Sequence, residues 1–509
     1  MAAPNEKLAD SLAILRDLQK NAHVFRWNEL SRVHRARLVR NGFLREVIKG
    51  WLISSGPEAR DGDSTPWYAS FPEFCARYCE ERFGDEWHLS PEQSILLHAE
   101  QTVIPPQVII HSPKATNHKI PLPFGTSIFD LRQRMPAAGD LTIRDDLRVF
   151  TPTAAVIRIS EGFFQDYPIE TQVVLGSIPD ATDVLRRLLE GGHSVVAGRL
   201  AAAFRRIGRV DIADEIVVTM RAADYVVRET DPFAGAPTVE AVSESPLAGR
   251  MRAMWQTMRE RVLRVFPPAP GLPSKKAAFL RRVDDIYRAD AYHSLSIEGY
   301  LVSDVLIERV RSGNWNPDLN SGDRQSRDAL SARGYWQAFQ AVKGSVGEII
   351  GGANAGKLVR GAHRAWYREL FQPCVAAGLI PATALAGYRN NAVYLRTSRY
   401  VPPRPEAVRD AMTTLFDLLE KEPEPAVRAV LGHWMLGYVH PYPDGNGRMA
   451  RFLMNAMLAS GGYPWSIVLV EDRDKYLAVL DRASIDGDIA PFADFIARCV
   501  RIALRRAAA

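Results

Sequence analysis

Residues 440–451 read HPYPDGNGRMAR, and no other stretch of the chain restricts its local fold as tightly. The run before it, PAVRAVLGHWMLGYV, has apolar residues at helical spacing: Val427, Val430, Leu431 and Met435. Pro441 and Pro443 cannot continue a helix, which puts His440 where helix gives way to loop. From Arg448 the helical pattern resumes. The loop 444–447 therefore feeds a helix N-terminus, where unpaired backbone N–H groups and the macrodipole favour an anion. Gly445 and Gly447 allow close approach of backbone to phosphate. Arg448 and Arg451, three apart, leave the first turn on one face. A base, a hard-oxygen metal ligand, a phosphate cradle and two cations in one loop predict a nucleotide site. The plainer alternative, a Gly-Asn turn between core helices, leaves the acid and both arginines unexplained.

These residues resemble the Fic family motif, His-x-Phe-x-Asp/Glu-Gly-Asn-Gly-Arg-x-x-Arg. The one departure is Tyr442, where the family usually has Phe; its hydroxyl is harmless if it finds a partner. The resemblance implies transfer of AMP from ATP to a Ser, Thr or Tyr hydroxyl of a protein substrate. His440 would take the hydroxyl proton. Asp444 would hold Mg²⁺ against the α- and β-phosphates. The 445–447 amides and Asn446 would steady the phosphates, with Arg448 and Arg451 clamping the β- and γ-phosphates. Gly447 favours AMP transfer over the related Doc-type kinases, which carry another residue there and bind the nucleotide reversed.

A second resemblance lies upstream, where residues 294–299 read SLSIEG. They are similar to the Fic inhibitory motif, Ser/Thr-x-x-x-Glu-Gly/Asn. Alone the pattern is weak, since Ser and Glu four apart are common on a solvated helix face. The spacing is not that of a capping box. Beside a matching catalytic motif, the resemblance implies Ser294, Glu298 and Gly299 as an inhibitory set, with Glu298 pairing Arg451 and blocking a productive γ-phosphate pose. Residues 392–395 and 399–401 alternate around a short loop and predict a small β-hairpin. In Fic proteins such a flap holds the target segment by strand addition; the plain reading is a surface hairpin. Tyr476 falls in the region that lines the family's adenine pocket. Ile485 stands where a polar residue often lies near the base, which leaves base preference open. The resemblance covers residues 246 to 509.

The first half differs. At 509 residues the chain exceeds one core. The reading is multidomain and mainly α: a winged helix-turn-helix over 1–57, an α/β domain over 58–230, a Pro- and Ala-rich linker over 231–246, and an all-α Fic domain with a β-hairpin flap over 247–509. An apolar-periodic helix spans 8–18. Between Arg32 and Lys49 the chain carries Arg32, Arg35, Arg37, Arg40, Arg45 and Lys49 against one acid, Glu46. Leu38, Val39, Phe43 and Leu44 supply an apolar face, Asn41-Gly42 ends the helix, and 48–51 makes a tight hairpin. The basic helix would enter the major groove, with Lys49 on a wing near phosphate. Winged helices also dock proteins, and arginine on a helix face is usually only solvated. Strands are expected at 107–110, 149–150 and 156–159, with helices at 181–189 and 196–206. Residues 10–160 resemble the winged-helix antitoxins of abortive-infection systems, through GFLREVIKGWLI and HLSPEQSILLH. Those antitoxins bind their own promoters.

The net charge of +5 is too small to decide for DNA. Cys75, Cys79, Cys374 and Cys499 form no disulfide framework and read as core thiols. His111 and His118 have no partnering acid at ligand spacing, so no metal is expected there. No apolar leader or membrane span is evident, and a cytoplasmic protein is expected. The reading is an adenylyltransferase autoinhibited through Glu298 and fused to a DNA-binding half. The alternatives are a transcriptional regulator whose Fic domain senses nucleotide, and a toxin–antitoxin fusion acting in cis. A homodimer is compatible with paired half-sites.

Overall fold

Ser31 begins the basic helix Arg32–Arg40 by accepting a hydrogen bond from the His34 amide, and Asn41 ends it. Gly42 then takes φ +77°, a left-handed turn that glycine adopts without strain. This helix, the helix Pro4–Leu18 and a three-stranded antiparallel sheet enclose a small core of Leu15, Phe25, Leu30, Leu38, Leu44 and Leu52. The strands are β1 (Val24–Arg26), β2 (Leu44–Ile48) and β3 (Trp51–Ser54), ordered β1-β3-β2, with Val24 opposite Ile53 and Glu46 opposite Leu52. Val39, expected on the apolar face, is 40% exposed.

The computed structural model describes residues 4–20, 22–58, 62–233, 235–238, 245–313 and 327–508. It divides into one unit of Met1–Arg250 with Val393–Val401, and a second of Met251–Ala392 with Pro402–Ala509. In the first unit the helix Thr65–Phe83 carries an aromatic core of Trp67, Phe71 and Phe74. A mixed sheet follows, ordered β4 (His88–Leu89), β5 (Val108–Ser112), β7 (Ser127–Arg132) and β6 (Lys119–Pro121), in which only β5 and β7 run parallel. A hairpin, β8 (Leu141–Arg144) and β9 (Leu147–Phe150), leads into a helical cluster that includes Thr182–Gly191 and Ser194–Arg206.

The strand expected at 156–159 is instead the end of the helix Pro152–Arg158. Thr151 caps it, Pro152 occupies its first turn, and residues 153–157 are buried all round. An apolar run that short fits strand or helix equally, and the cap decides. Of the expected linker, 234 and 239–244 lie outside the described residues, while Phe233 is buried in the helical core. All four cysteines are free and buried.

The expected hairpin over 392–401 also differs, since no strand forms there. Val393–Val401 packs into the first unit, where Tyr394 and Val401 lie against the aromatic core. The Ile104 amide donates to the Arg399 carbonyl at 2.8 Å, the Arg399 guanidinium donates to the Ile104 carbonyl at 3.1 Å, and Thr102 donates to the Val401 carbonyl. The segment's backbone groups are met by a distant stretch of chain, and so it does not fold back on itself.

The second unit is helical. The helices Arg327–Ile349 and Ala355–Ala376 pack along each other, and Pro425–Val439 packs on Asn446–Ala459. Gly334 makes the first pair possible, because a Cβ there would sit 2.0 Å from the Leu370 carbonyl oxygen. The next residue, Phe371, lies beneath Gly445, so this crossing sets the floor of the 440–451 loop. Gly334→Ala is expected to destabilise the unit by about 1–3 kcal/mol through overpacking, read by chemical denaturation; an unchanged midpoint would show that the helices separate freely.

Candidate functional site

The helix Pro425–Val439 ends as its sequence requires, with His440 at the C-cap in a left-handed conformation, φ 48° and ψ 58°. Its amide donates to the Leu436 carbonyl at 2.9 Å. The ring is hydrogen-bonded to the Gly437 carbonyl, which ties up one nitrogen as donor and leaves the other as acceptor. Burial pulls the pKa down to about 4 against the lift from that bond, and the Arg389 guanidinium adds to the fall. His440 is therefore neutral near pH 7 and can receive a proton.

Asn446 closes the loop with both ends of its amide, accepting from the Tyr442 N–H at 2.9 Å and donating to the Tyr442 carbonyl at 2.8 Å. This uses one of the two N–H donors and one of the two acceptor sites of its side-chain amide. Asp444 is 57% exposed at the side chain, accepts from the Gly445 amide and pairs with Arg448 at 3.2 Å. It remains open to solvent as a hard-oxygen ligand. Gly445 is left-handed at φ +80°, and a Cβ there would strike Phe371 at 2.8 Å. Both reasons require glycine.

Arg448 is 1% exposed and lies between the rings of Tyr300 and Phe371, at 5.2 and 5.0 Å. Its Nε is buried without a hydrogen-bond partner. Arg451 is 4% exposed. Its Nε donates to the Ser294 hydroxyl at 2.8 Å, and Nη2 donates to the Ser294 carbonyl at 3.1 Å and to Glu298 Oε1 at 2.6 Å. Three of the residues singled out far apart in sequence, Ser294, Glu298 and Arg451, therefore meet.

Glu298 is the C-cap of the helix Lys276–Ile297, and Gly299 follows at φ +86° to end it. A carboxylate at the negative end of a helix is unfavourably placed. Crowding by protein works against its ionisation too, but Arg451 and Arg448 outweigh that and hold it below the usual carboxylate range. Its Oε1 lies 2.4 Å from where a Cβ on Gly447 would be, with Arg451 Nη1 at 3.2 Å from the same point. The glycine, the arginine and the helix N-terminus form one anion-binding crevice, and the Glu298 carboxylate occupies it.

Tyr476, expected to line a base pocket, is 2% exposed. Its hydroxyl is 2.7 Å from His433 Nε2, and its ring lies against Phe492 and Phe495. Burial lowers the His433 pKa to about 3 and raises that of Tyr476 to about 12, so both are neutral. Ile485, half-buried, lies on the same helix as Tyr476, Arg473–Asp486. Residues that sequence reasoning missed include Asp290, which accepts from Tyr335 at 2.6 Å and Trp465 at 2.9 Å and whose pKa burial raises to about 6. Asp290 lies four residues before Ser294 on one helix face, and only that spacing could have signalled it.

Residues 357–458 match the model of the Fic/DOC family. The chain is 46% identical over 116 residues to the protein adenylyltransferase Fic of Nematostella vectensis, covering 22% of this chain and 26% of that one. It is 39% identical over 274 residues to the protein adenylyltransferase Fic of Drosophila yakuba, covering 52% of each. The chain thus spans between about a quarter and about half the length of these relatives. Among solved structures, Fic-1 (residues 134–508) from C. elegans aligns with a TM-score of 0.37 at 20% identity, covering 63% of this chain and 91% of that one.

Against the Fic motif, Tyr442 remains the departure. Its ring is fully buried and stacks on Tyr367 at 4.1 Å, while its hydroxyl has no hydrogen-bond partner. A buried unsatisfied hydroxyl costs about 1–3 kcal/mol. Tyr442→Phe is expected to raise stability by about 1 kcal/mol with nucleotide affinity unchanged. A loss of stability in thermal unfolding would mean that the hydroxyl is satisfied in solution.

Proposed function

We propose that the chain transfers AMP from ATP to a Ser, Thr or Tyr hydroxyl of a protein, and that Glu298 holds this activity in check. The observation that carries the reading is the Glu298 carboxylate seated between Gly447 and Arg451, where the loop amides and the two arginines suit a phosphate. One anion stands in the place of another. In the reaction the acceptor oxygen attacks the α-phosphorus, the bond to the β-bridging oxygen breaks, and pyrophosphate leaves. His440 takes the hydroxyl proton on its free ring nitrogen. The amides of 445–447 meet charge on the phosphates, and Arg448 and Arg451 meet the β- and γ-phosphates. Asp444 fits a divalent cation by its hard oxygens and exposure; Mg²⁺ bound there would neutralise charge on the polyphosphate. With Glu298 in the crevice, Arg451 is unavailable to a γ-phosphate.

The test is mass spectrometry after incubating Glu298→Gly protein with Mg²⁺ and ATP, with Glu298→Gly/His440→Ala beside it. AMP adducts on the protein or on lysate proteins, rising at least tenfold over the unsubstituted chain and absent without His440, are expected. Equal labelling with and without Glu298 would contradict the restraint, and labelling that survives loss of His440 would contradict the mechanism.

A second proposal concerns residues 1–57, which we read as a winged helix-turn-helix that binds DNA. Its supporting observation is the exposed face of Arg32–Arg40, where Arg32, Val33, Ala36, Val39 and Arg40 face solvent, with Lys49 exposed on the hairpin. Arg35 and Arg37, expected to read DNA, turn inward instead. Arg35 donates to the Trp27 carbonyl and stacks on its ring, and Arg37 donates to the Lys7 carbonyl and the Ser11 hydroxyl. Arg45 likewise reaches the Asp63 carbonyl. Fluorescence anisotropy on a mixed-sequence duplex tests this. Arg32→Ala/Arg40→Ala should weaken binding and reduce the slope of log affinity against log salt by about 2, one unit per lost phosphate contact. An unchanged slope would place the interface elsewhere.

A further inference from the structure

Arg389 is 5% exposed and spends its charge on backbone carbonyls. Nε donates to the His440 carbonyl at 2.7 Å, Nη2 to the carbonyls of Val439 at 3.4 Å and Pro403, and Nη1 to that of Asn391 at 2.9 Å. Its own amide donates to the Pro441 carbonyl at 2.8 Å. Carbonyls 439–441 are where the chain leaves the helix Pro425–Val439. The last carbonyls of a helix lack intrahelical donors and form its negative end, so a buried guanidinium there is favourable. His440 needs that support, because a non-glycine residue in the left-handed region is sparsely populated and persists only when its surroundings hold it. The other two acceptors, Asn391 and Pro403, flank Val393–Val401, the segment that leaves the second unit for the first. One side chain thus fixes the backbone of His440 and both ends of this excursion.

We propose that Arg389 is a positioning residue for His440, locking the left-handed backbone that aims its ring and pinning the ends of the 391–403 loop to the same point. The inference rests on the AMP-transfer reading for its consequence, not for its geometry. The planar fork of arginine is what the site uses, since four carbonyls in different directions exceed what one lysine ammonium on a flexible stem can hold. The hydrogen bonds of Arg389 described above go to backbone carbonyls and not to the side chains assigned to the phosphates. Its loss should therefore act on the transfer step and spare nucleotide binding.

The experiment compares Glu298→Gly with Glu298→Gly/Arg389→Lys by three readouts: self-labelling from α-labelled ATP, MgATP affinity by calorimetry, and hydrogen exchange of peptides covering 438–442 and 391–403. The expected result is a fall in labelling of about 10- to 100-fold, the cost of a small misplacement of a reacting group. MgATP affinity should stay within about twofold while exchange at both peptides speeds up. Equal labelling in the two proteins would overturn the proposal, as would a parallel loss of MgATP affinity, which signals general disruption. If Glu298→Gly itself labels nothing, the AMP-transfer reading fails separately. Exchange then decides the positioning role: faster exchange confined to the two peptides upholds it, and unchanged exchange overturns it.

Discussion

Arg451 is a buried guanidinium, and the second unit is organised around keeping that charge matched. A buried cation is costly unless an anion and hydrogen-bond acceptors meet it. Here Ser294 supplies two oxygens and Glu298 the charge. Removing one partner of such a pair typically costs about 3–5 kcal/mol because the other is left uncompensated. On the proposed function, the same arithmetic would make a switch. A polyphosphate reaching the 445–447 amides offers Arg451 a stronger anion than a carboxylate does, but only if Glu298 leaves. On the proposed function the two anions would compete for one cation in one crevice, where a Cβ on Gly447 would meet the Glu298 carboxylate at 2.4 Å. The helix that bears Glu298 ends at Gly299, so the competing group sits at the tip of a helix and is not locked within one.

The 440–451 loop was legible because its constraints are local. Two prolines stop a helix, two glycines permit the turn, and the arginines follow at helical spacing, so every rule needed operates within a few residues. The pairing of Glu298 with Arg451, 153 residues apart, was reachable only through the resemblance to the Fic motifs. Where long-range partners decide, sequence reasoning failed in identifiable ways. Residues 399–401 alternate like a strand, yet their partners lie about 300 residues away at 102–104. Arg389 carries no motif because its partners are carbonyls, which every residue has. Asn446 holds its own loop through Tyr442 and Tyr476 meets His433, contacts with the protein's own framework that no motif signals.

The N-terminal half illustrates the same limit from the charge side. Counting arginines on the helix Arg32–Arg40 treats them as equivalent, but they differ in the partners within their reach. Arg35 and Arg37 hold the fold together through Trp27, Lys7 and Ser11, while Arg32 and Arg40 are left to solvent. A long side chain with several donors finds carbonyls wherever a short 3₁₀ turn or a helix end leaves them unpaired. The density of basic residues therefore overstates the charge available to a partner, and the proposed DNA contact rests on fewer residues than composition suggests.

On the proposed function, one crevice holds either the Glu298 carboxylate or the end of a nucleotide polyphosphate. The most direct measurement is a crystal structure of Glu298→Gly protein with Mg²⁺ and a non-hydrolysable ATP analogue, compared with the unsubstituted chain under the same conditions. The γ-phosphate is expected on Arg451 in the variant, with the α-phosphorus facing the free nitrogen of His440 and the metal on Asp444. In the unsubstituted chain the γ-phosphate should be kept off Arg451. A nucleotide bound in the reverse direction, or the same phosphate pose in both proteins, would contradict it.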